Sequence, residues 1–129
     1  MCGLAGFLDV GSRCASPEDV LKRMTRALIH RGPDAEGFWF DPAAGAALGH
    51  RRLSILDLSE TGSQPMISAS GRYVISYNGE TYNFLRLSDT LRLAGVMFRG
   101  RSDTEVLLAA IEQWGVTAAV KQIVGMFAF

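Results

Sequence analysis

The 129-residue chain has few cysteines, no excess charge of either sign and no long apolar run. Its two cysteines, Cys2 and Cys14, are too few for the disulfide framework of a small secreted domain. Thirteen basic and thirteen acidic side chains cancel, which argues against nucleic acid or an anionic membrane surface as a partner. No apolar run approaches the roughly 20 residues that a membrane helix needs. We therefore expect a cytoplasmic protein whose partner is small or compact.

Nearly half of the residues are apolar, so a sizeable core can form within one domain. The sequence has no internal repeat, low-complexity stretch or linker. Short apolar runs predict strands near both ends, over 3–8 and 125–129. Residues 37–40 and 46–49 are typical of a hairpin, and 72–78 alternate like a further strand. Helices between these strands predict mixed layers of helix and sheet.

Three helices are predicted from residue types that are typical of helix starts and ends. The pair Ser16–Pro17 is typical of an N-cap and a first helical position, and the segment "HRGPD" (30–34) ends that helix. Asn83 can cap a second helix that carries leucines 87, 91 and 93 toward Gly95. A third helix is expected over 102–114, before a glycine.

Cys2 directly follows the initiator methionine. A free cysteine is usually a small buried hydrophobe, and it becomes a nucleophile only when its surroundings produce a thiolate. The sequence offers two sources of a base. Either His30 or His50 forms a Cys–His pair, or removal of Met1 leaves Cys2 with a free α-amine, which titrates near neutral pH.

The segment "YNGETYNF" (77–84) has two interpretations. Asn-Gly is the commonest signal for a tight hairpin turn. The residues that follow it, however, have a helical pattern and lack the alternation of a returning strand. The other interpretation is a strand end at which the Asn78 amide and the Gly79 N–H form an oxyanion hole.

Two charged motifs have ordinary structural interpretations. In "RSDTE", Ser102 and Glu105 fit a capping box, and Asp103 complements the helix dipole. In "HRRLS", Arg51 and Arg52 are of a type that is mostly solvated at the surface. Neither motif identifies a function by itself.

The motifs together resemble one family, the glutamine-hydrolysing domain of asparagine synthetases, a class II glutamine amidotransferase. The matching segments cover essentially the whole chain in the family's order: "MCGLAGF", "HRGPD", "LGHRRLSILDLS", "QPM", "YNGETYNF", "SDTE" and "GMFAF". This resemblance implies an α+β fold, the αββα four-layer sandwich of N-terminal-nucleophile hydrolases. Residues 1–129 would be an incomplete amidotransferase domain, truncated at its C-terminal end, with the synthetase domain outside them.

The resemblance also implies a site that hydrolyses glutamine to glutamate and ammonia through a thioester. Six residues would form it: Cys2 as the nucleophile, Asn78 and Gly79 as oxyanion-hole donors, Arg52 for the substrate α-carboxylate, Asp103 for its ammonium, and Glu80 as a helper. No metal or other cofactor is implied for this step. ATP and magnesium are expected in the synthetase domain, where the ammonia converts aspartate to asparagine. The implied partners are glutamine and that domain, and a homodimer is compatible with the resemblance.

Thr81 departs from the pattern, because the family usually has a larger aliphatic residue there. We expect looser local packing at Thr81 without an effect on the chemistry. The family's domain continues past "GMFAF", so the strand there is expected to have an open edge. Two alternatives stay open: the ammonia serves a different amidation, of a sugar or a peptide for example, or the domain is a scaffold that has lost hydrolysis.

Overall fold

A computed structural model describes residues 2–9, 14–54 and 62–129. Within these ranges the chain is an α+β protein, and each helix there is too short or too polar to traverse a lipid bilayer. In chain order the elements are β1 (Gly3–Leu8), α1 (Pro17–Arg26), β2 (Ala35–Asp41), β3 (Ala46–Arg52), β4 (Met66–Ile67), β5 (Val74–Ile75), β6 (Asn78–Thr81), α2 (Phe84–Leu93), α3 (Asp103–Trp114), α4 (Val116–Gln122) and β7 (Gly125–Ala128).

The largest described sheet has the strand order β1–β3–β2, and both of its pairings are antiparallel. The predicted hairpin is confirmed as β2 and β3, which are longer than the sequence indicates. Gly3 lies opposite Arg51 in the register, so Cys2 comes to lie beside the end of β3 at Arg52. The pairing of the first strand thus brings the N-terminal segment next to a distant arginine.

Helix α1 begins at Pro17, as the sequence predicts. Ser16 precedes it, but the Ser16 side chain makes no capping hydrogen bond. Leu21 is fully buried beneath this helix, where α1 packs on the sheet. Helix and sheet lie close together at Gly49, where a Cβ would lie 2.2 Å from Thr25 Oγ1. A side chain at that position would therefore require Thr25 to move.

The main apolar core lies where α2 and α3 pack together against the segment before β6. Leu87 and Leu91 of α2 are buried in it, as the periodicity predicts. Leu93 is 91% exposed, because it lies only two positions beyond Leu91 and therefore on another face of the helix. The buried residues of this core are Met66, Ile75, Tyr77, Leu87, Leu91, Val106, Leu107, Leu108, Ala110, Ile111 and Ala119.

Helix α4 is an element that the sequence analysis missed. Gly115 separates it from α3 with a φ of 80°, a backbone conformation that favours glycine. The helix has seven residues, and Ala119 is its only buried one. So short a segment with one small buried residue produces no apolar periodicity, which explains the omission.

The strand predicted over 72–78 is correct only in part. β5 covers Val74–Ile75 and pairs with β4, whereas β6 begins at Asn78 and pairs with β7. The chain therefore changes its partner strand within the predicted element. The strand predicted over 125–129 is confirmed as β7. Asn78 and Gly79 lie within β6, so the tight-turn interpretation of "YNGE" is wrong.

Candidate active site

A cavity of about 270 Å³ lies where the N-terminal segment, the end of β3, strand β6 and the start of α3 meet. All six residues that the sequence analysis selects line this cavity: Cys2, Arg52, Asn78, Gly79, Glu80 and Asp103. They come from four separate segments of the chain. Further lining residues include Leu53, Ser54, Gln64, Tyr77 and Thr104.

The half-buried Cys2 is held by backbone groups. Its Sγ accepts a hydrogen bond from Leu53 N at 3.4 Å, and the thiol donates to Leu53 O at 3.8 Å. The Arg31 guanidinium Nε donates to the Cys2 carbonyl at 3.0 Å. The position of the thiol therefore depends on the end of β3 and on the segment "HRGPD", two motifs that are far apart in sequence.

Arg51 is almost fully buried, so its interpretation as a solvated surface charge is wrong. Its Nε donates to Gly32 O at 2.8 Å, and its Nη1 forms an ion pair with Glu36 at 2.9 Å. A Cβ on Gly32 would lie 2.4 Å from the backbone of Arg51. This close approach is possible because residue 32 is a glycine, and it fastens the loop after α1 to β3.

Asp34 makes a second connection between the same loop and the end of β3. Its Oδ2 accepts from Ser54 N at 2.7 Å, and its own N–H donates to Arg52 O at 3.0 Å. Arg52 lies between these two anchored points and is half-buried at the cavity wall. Asp34 of "HRGPD" thus positions residues 52–54.

The two histidines lie outside the cavity. His50 Nε2 donates to Tyr77 O at 3.1 Å, which requires the tautomer with a proton on Nε2. Burial lowers the pKa of His50 to about 4, against the opposing effect of that hydrogen bond. His30 is exposed in the turn after α1. Neither histidine lines the cavity, and Cys2 Sγ contacts Leu53 instead, so the geometry does not support the Cys–His alternative.

Asp103 is the first residue of α3 and is held from the side of β6. Its Oδ2 accepts from Thr81 N at 2.9 Å and from the Tyr77 hydroxyl at 3.4 Å. The Tyr77 hydroxyl also contacts Thr81 Oγ1 at 2.9 Å. Burial raises the pKa of Tyr77 well above its ordinary value, so its hydroxyl keeps its proton. The role of Asp103 therefore extends beyond the helix dipole.

The predicted capping box at the start of α3 is half formed. Ser102 Oγ accepts from Glu105 N at 3.2 Å, which is the expected N-cap bond. The Glu105 carboxylate accepts instead from the N–H groups of Arg99 and Gly100, both at 2.8 Å. Glu105 thereby fixes the loop that leads into the helix, and with it the start of α3 at Asp103.

The alternation of β6 explains where its N–H groups point. Tyr82 N donates to Val124 O at 2.8 Å, just beyond the paired strands β6 and β7. In an antiparallel ladder every second residue turns its N–H away from the partner strand. By that alternation the N–H groups of Thr81 and Gly79 face away from β7, and the Thr81 N–H does reach Asp103. The Gly79 N–H therefore lies on the edge of β6 that borders the cavity.

Asn78 and Glu80 lie on the same strand. The Asn78 side chain is half-buried and, among the described residues, has no hydrogen-bond partner. Glu80 is exposed at the cavity rim. The Asn78 amide is thus available as a donor at the cavity wall.

Two further residues beside the predicted site residues, Gln64 and Thr81, were given no role from the sequence. The Gln64 side chain accepts from Tyr77 N at 2.6 Å and donates to Thr104 Oγ1 at 3.3 Å, which links the segment before β6 to α3. The only signal for Gln64 was its place in the segment "QPM". Thr81 is 2% exposed and its backbone N–H donates to Asp103, so it lies buried beside a predicted site residue.

Comparisons with known proteins identify one family for this chain. The profile of the family described as "Glutamine amidotransferase domain" matches residues 1–129. Glutamine-hydrolysing asparagine synthetase 1 of Bacillus subtilis (strain 168) is 41% identical over an alignment of 131 positions, which covers all of this chain and 20% of that protein. A putative glutamine-hydrolysing asparagine synthetase of Mycobacterium tuberculosis (strain H37Rv) is 39% identical over 142 residues, and these cover 22% of it.

A relative with a different name also matches over the full chain. Amidase chry2 of Gibberella zeae is 34% identical over 142 residues, which are 20% of its length. The chain thus spans about a fifth of the curated relatives it matches. Because the family profile covers all of its residues, the chain belongs to the glutamine amidotransferase domain family.

Proposed function

We propose that this domain hydrolyses the side-chain amide of glutamine to glutamate and ammonia through a thioester on Cys2. The proposal rests on the convergence of Cys2, Arg52, Asn78, Gly79, Glu80 and Asp103 on one cavity. These residues offer a thiol, a cation, two anions and two N–H donors. A glutamine molecule needs that set of groups at its amide, its α-carboxylate and its α-ammonium.

The α-carboxyl and α-amino groups of glutamine bind at the charged residues. The guanidinium of Arg52 can pair with both oxygens of a planar carboxylate. The carboxylate of Asp103 binds the ammonium, and Glu80 adds a further negative charge at the rim. These contacts hold the side-chain amide toward Cys2 and keep the substrate in a reactive orientation.

Chemistry begins when Met1 is removed and the α-amine of Cys2 is free. The amine takes the proton of the thiol, and the thiolate Sγ attacks the amide carbon of glutamine. The carbonyl electron pair moves onto oxygen, where the Asn78 amide and the Gly79 N–H stabilise the negative charge. The protonated amine then gives its proton to the amide nitrogen, the C–N bond breaks and ammonia leaves.

The second half-reaction releases glutamate. The glutamyl group is now a thioester on Sγ, and the α-amine is again neutral. Water gives a proton to this amine as it attacks the thioester carbon, and the same N–H donors stabilise the second oxyanion. The C–S bond breaks, the sulfur recovers a proton, and the thiol is regenerated.

We further propose that the sheets and helices of this chain are part of the αββα sandwich of N-terminal-nucleophile hydrolases. In a longer protein the ammonia would be used in a synthetase domain, with ATP and magnesium, to convert aspartate to asparagine. The names of the Bacillus and Mycobacterium relatives support this acceptor. The amidase of Gibberella zeae, similar over the same residues, supports the alternative that such a domain serves a different reaction.

The full-length protein tests both levels of the proposal. Incubated with glutamine alone, it should release glutamate and ammonia in equal amounts, whereas a scaffold domain that has lost hydrolysis releases neither. With ATP, magnesium and aspartate added, the appearance of asparagine labelled from the glutamine amide nitrogen supports aspartate as the acceptor. Hydrolysis without labelled asparagine would support the hydrolase and contradict that acceptor.

A further inference from the structure

We infer that Tyr77 and Thr81 are positioning residues, which orient the Asp103 carboxylate toward the substrate ammonium. This inference rests on the proposed function, because it assigns the reason for a contact that glutamine would make. Thr81 donates its backbone N–H to Asp103 Oδ2 at 2.9 Å, and the Tyr77 hydroxyl approaches the same oxygen at 3.4 Å. The two hydroxyls contact each other at 2.9 Å.

Only one arrangement of protons satisfies all three groups. Tyr77 and Thr81 are each 2% exposed, and buried hydroxyls require partners. If Thr81 donates to Tyr77, the Tyr77 proton is directed onto the Asp103 carboxylate, and every donor has an acceptor. In the reverse arrangement the Thr81 proton has no acceptor among the described residues, and the carboxylate loses a charge-assisted bond.

The tyrosine is itself fixed on its other side. Gln64 accepts a hydrogen bond from Tyr77 N at 2.6 Å, and Tyr77 O accepts from His50. Burial keeps the Tyr77 hydroxyl protonated, so it acts only as a donor toward the acid. The Tyr77 hydroxyl therefore donates its hydrogen bond to Asp103 from a fixed position.

This arrangement leaves the second carboxylate oxygen of Asp103 available for a substrate. Both described bonds to Asp103 end on Oδ2, so Oδ1 is left for a ligand in the cavity that Asp103 lines. Without the Tyr77 and Thr81 hydroxyls only the Thr81 backbone N–H still holds Oδ2, so the carboxylate is less restrained about its terminal bond, whose torsion is broad. The substrate ammonium then loses a fixed partner, while Cys2 and the oxyanion donors are unaffected.

The test compares two substrates in the full-length protein. One is glutamine, and the other is its analogue without the α-amino group, which keeps the amide and the α-carboxylate. The variants are Tyr77→Phe and Thr81→Val, with Thr81→Ser as the conservative variant. Tyr82→Phe and Thr90→Val are matched controls at exposed positions.

For glutamine we expect Tyr77→Phe to raise KM roughly tenfold and Thr81→Val roughly threefold, with kcat within about twofold of the wild type, since the ammonium is bound equally in the ground and transition states. Thr81→Ser should restore the wild-type KM. With the analogue that lacks the amino group, kcat/KM should be the same in the wild type and both variants. The two controls should leave both substrates unchanged.

Equal losses on both substrates would mean a general structural role, and unchanged KM for glutamine would mean that neither hydroxyl positions Asp103. Either result overturns the inference. If Tyr77→Phe does not fold, the comparison of Thr81→Val with Thr81→Ser decides the question. If the wild type hydrolyses no glutamine, the proposed function fails, and calorimetric glutamine binding to the same variants still measures the positioning effect, whose absence would contradict it.

Discussion

The two ends of the candidate site are built in different ways. At one end the Cys2 thiol is held by the backbone of Leu53, and the Arg31 side chain donates to the Cys2 carbonyl. At the other end Asp103 depends on the buried hydroxyl of Tyr77 as well as on a backbone N–H. Strand register therefore positions Cys2, the proposed nucleophile, whereas the Tyr77 side chain adds to the backbone contact that positions Asp103. Substitutions near Cys2 should change the chemical rate, and those near Asp103 should change substrate affinity.

The largest effect is expected for Cys2→Ala in the full-length protein. Removal of the nucleophile should lower glutamine hydrolysis by a factor on the order of 10⁴ or more, because no other thiol lines the cavity in the described part of the chain. Glutamine binding, measured by calorimetry, should persist because Arg52 and Asp103 remain. The control Cys14→Ala should keep full activity, and a loss as large as that of Cys2→Ala would contradict the assignment of the nucleophile.

Asn78→Ala should have the next largest effect. Asn78 is proposed to donate to a charge that exists only in the transition state, so kcat should fall by roughly 10² to 10³ while glutamine affinity changes little. Single-turnover kinetics with glutamine measures the acylation rate directly. Weaker binding with an intact acylation rate would remove Asn78 from the oxyanion hole.

Substitutions at the charged end should have a smaller effect of another kind. Arg52→Ala and Asp103→Asn should raise KM for glutamine by roughly 10- to 100-fold, because each removes a contact made throughout the reaction. Some loss of kcat is expected as well if the amide is displaced from Cys2. An unchanged KM with a lower kcat in Asp103→Asn would reverse the contrast between the two ends.

The smallest effect on activity is expected for the double substitution of His30 and His50 by glutamine. Neither histidine lines the cavity, so kcat/KM for glutamine at neutral pH should stay within about threefold of the wild type. Collapse of hydrolysis in a protein that still folds would instead support a Cys–His pair.

His50 should nevertheless affect stability at low pH. Burial lowers its pKa from 6.5 to about 4 in the folded protein, so between these values the unfolded chain binds a proton that the folded one does not. Stability due to His50 is therefore present above about pH 6.5 and is lost as the pH falls toward 4, by about 3 kcal/mol at most. Urea unfolding across this range should show a shallower pH dependence in His50→Gln, and identical slopes would contradict the buried neutral histidine.

Local patterns in the sequence predict much of this structure. The start of α1 at Pro17, the β2–β3 hairpin and the strand near residue 127 follow from caps, turns and alternation. The six lining residues follow from the resemblance of several short motifs to one family. Each of these signals lies within a few neighbouring residues, which is why a single sequence reveals it.

The features of the structure that the sequence did not predict depend on contacts between residues that are distant in sequence. Gln64 bonds to Tyr77 across 13 positions, and Tyr77 to Asp103 across 26, so no local pattern announces either contact. The change of partner strand between β5 and β6 and the short helix α4 are equally set by packing. The burial of Thr81 beside Asp103 is likewise set by packing and is not visible in the sequence.

The central claim is that Cys2, freed of Met1, is the nucleophile. The most direct measurement is mass mapping of the full-length protein after inactivation by a glutamine analogue with a halomethyl ketone in place of the amide. We predict one covalent adduct per active site, on the sulfur of an N-terminal Cys2, formed in parallel with the loss of hydrolysis and prevented by glutamine. Active protein that retains Met1, or an adduct on another residue that accounts for the loss of activity, would contradict the claim.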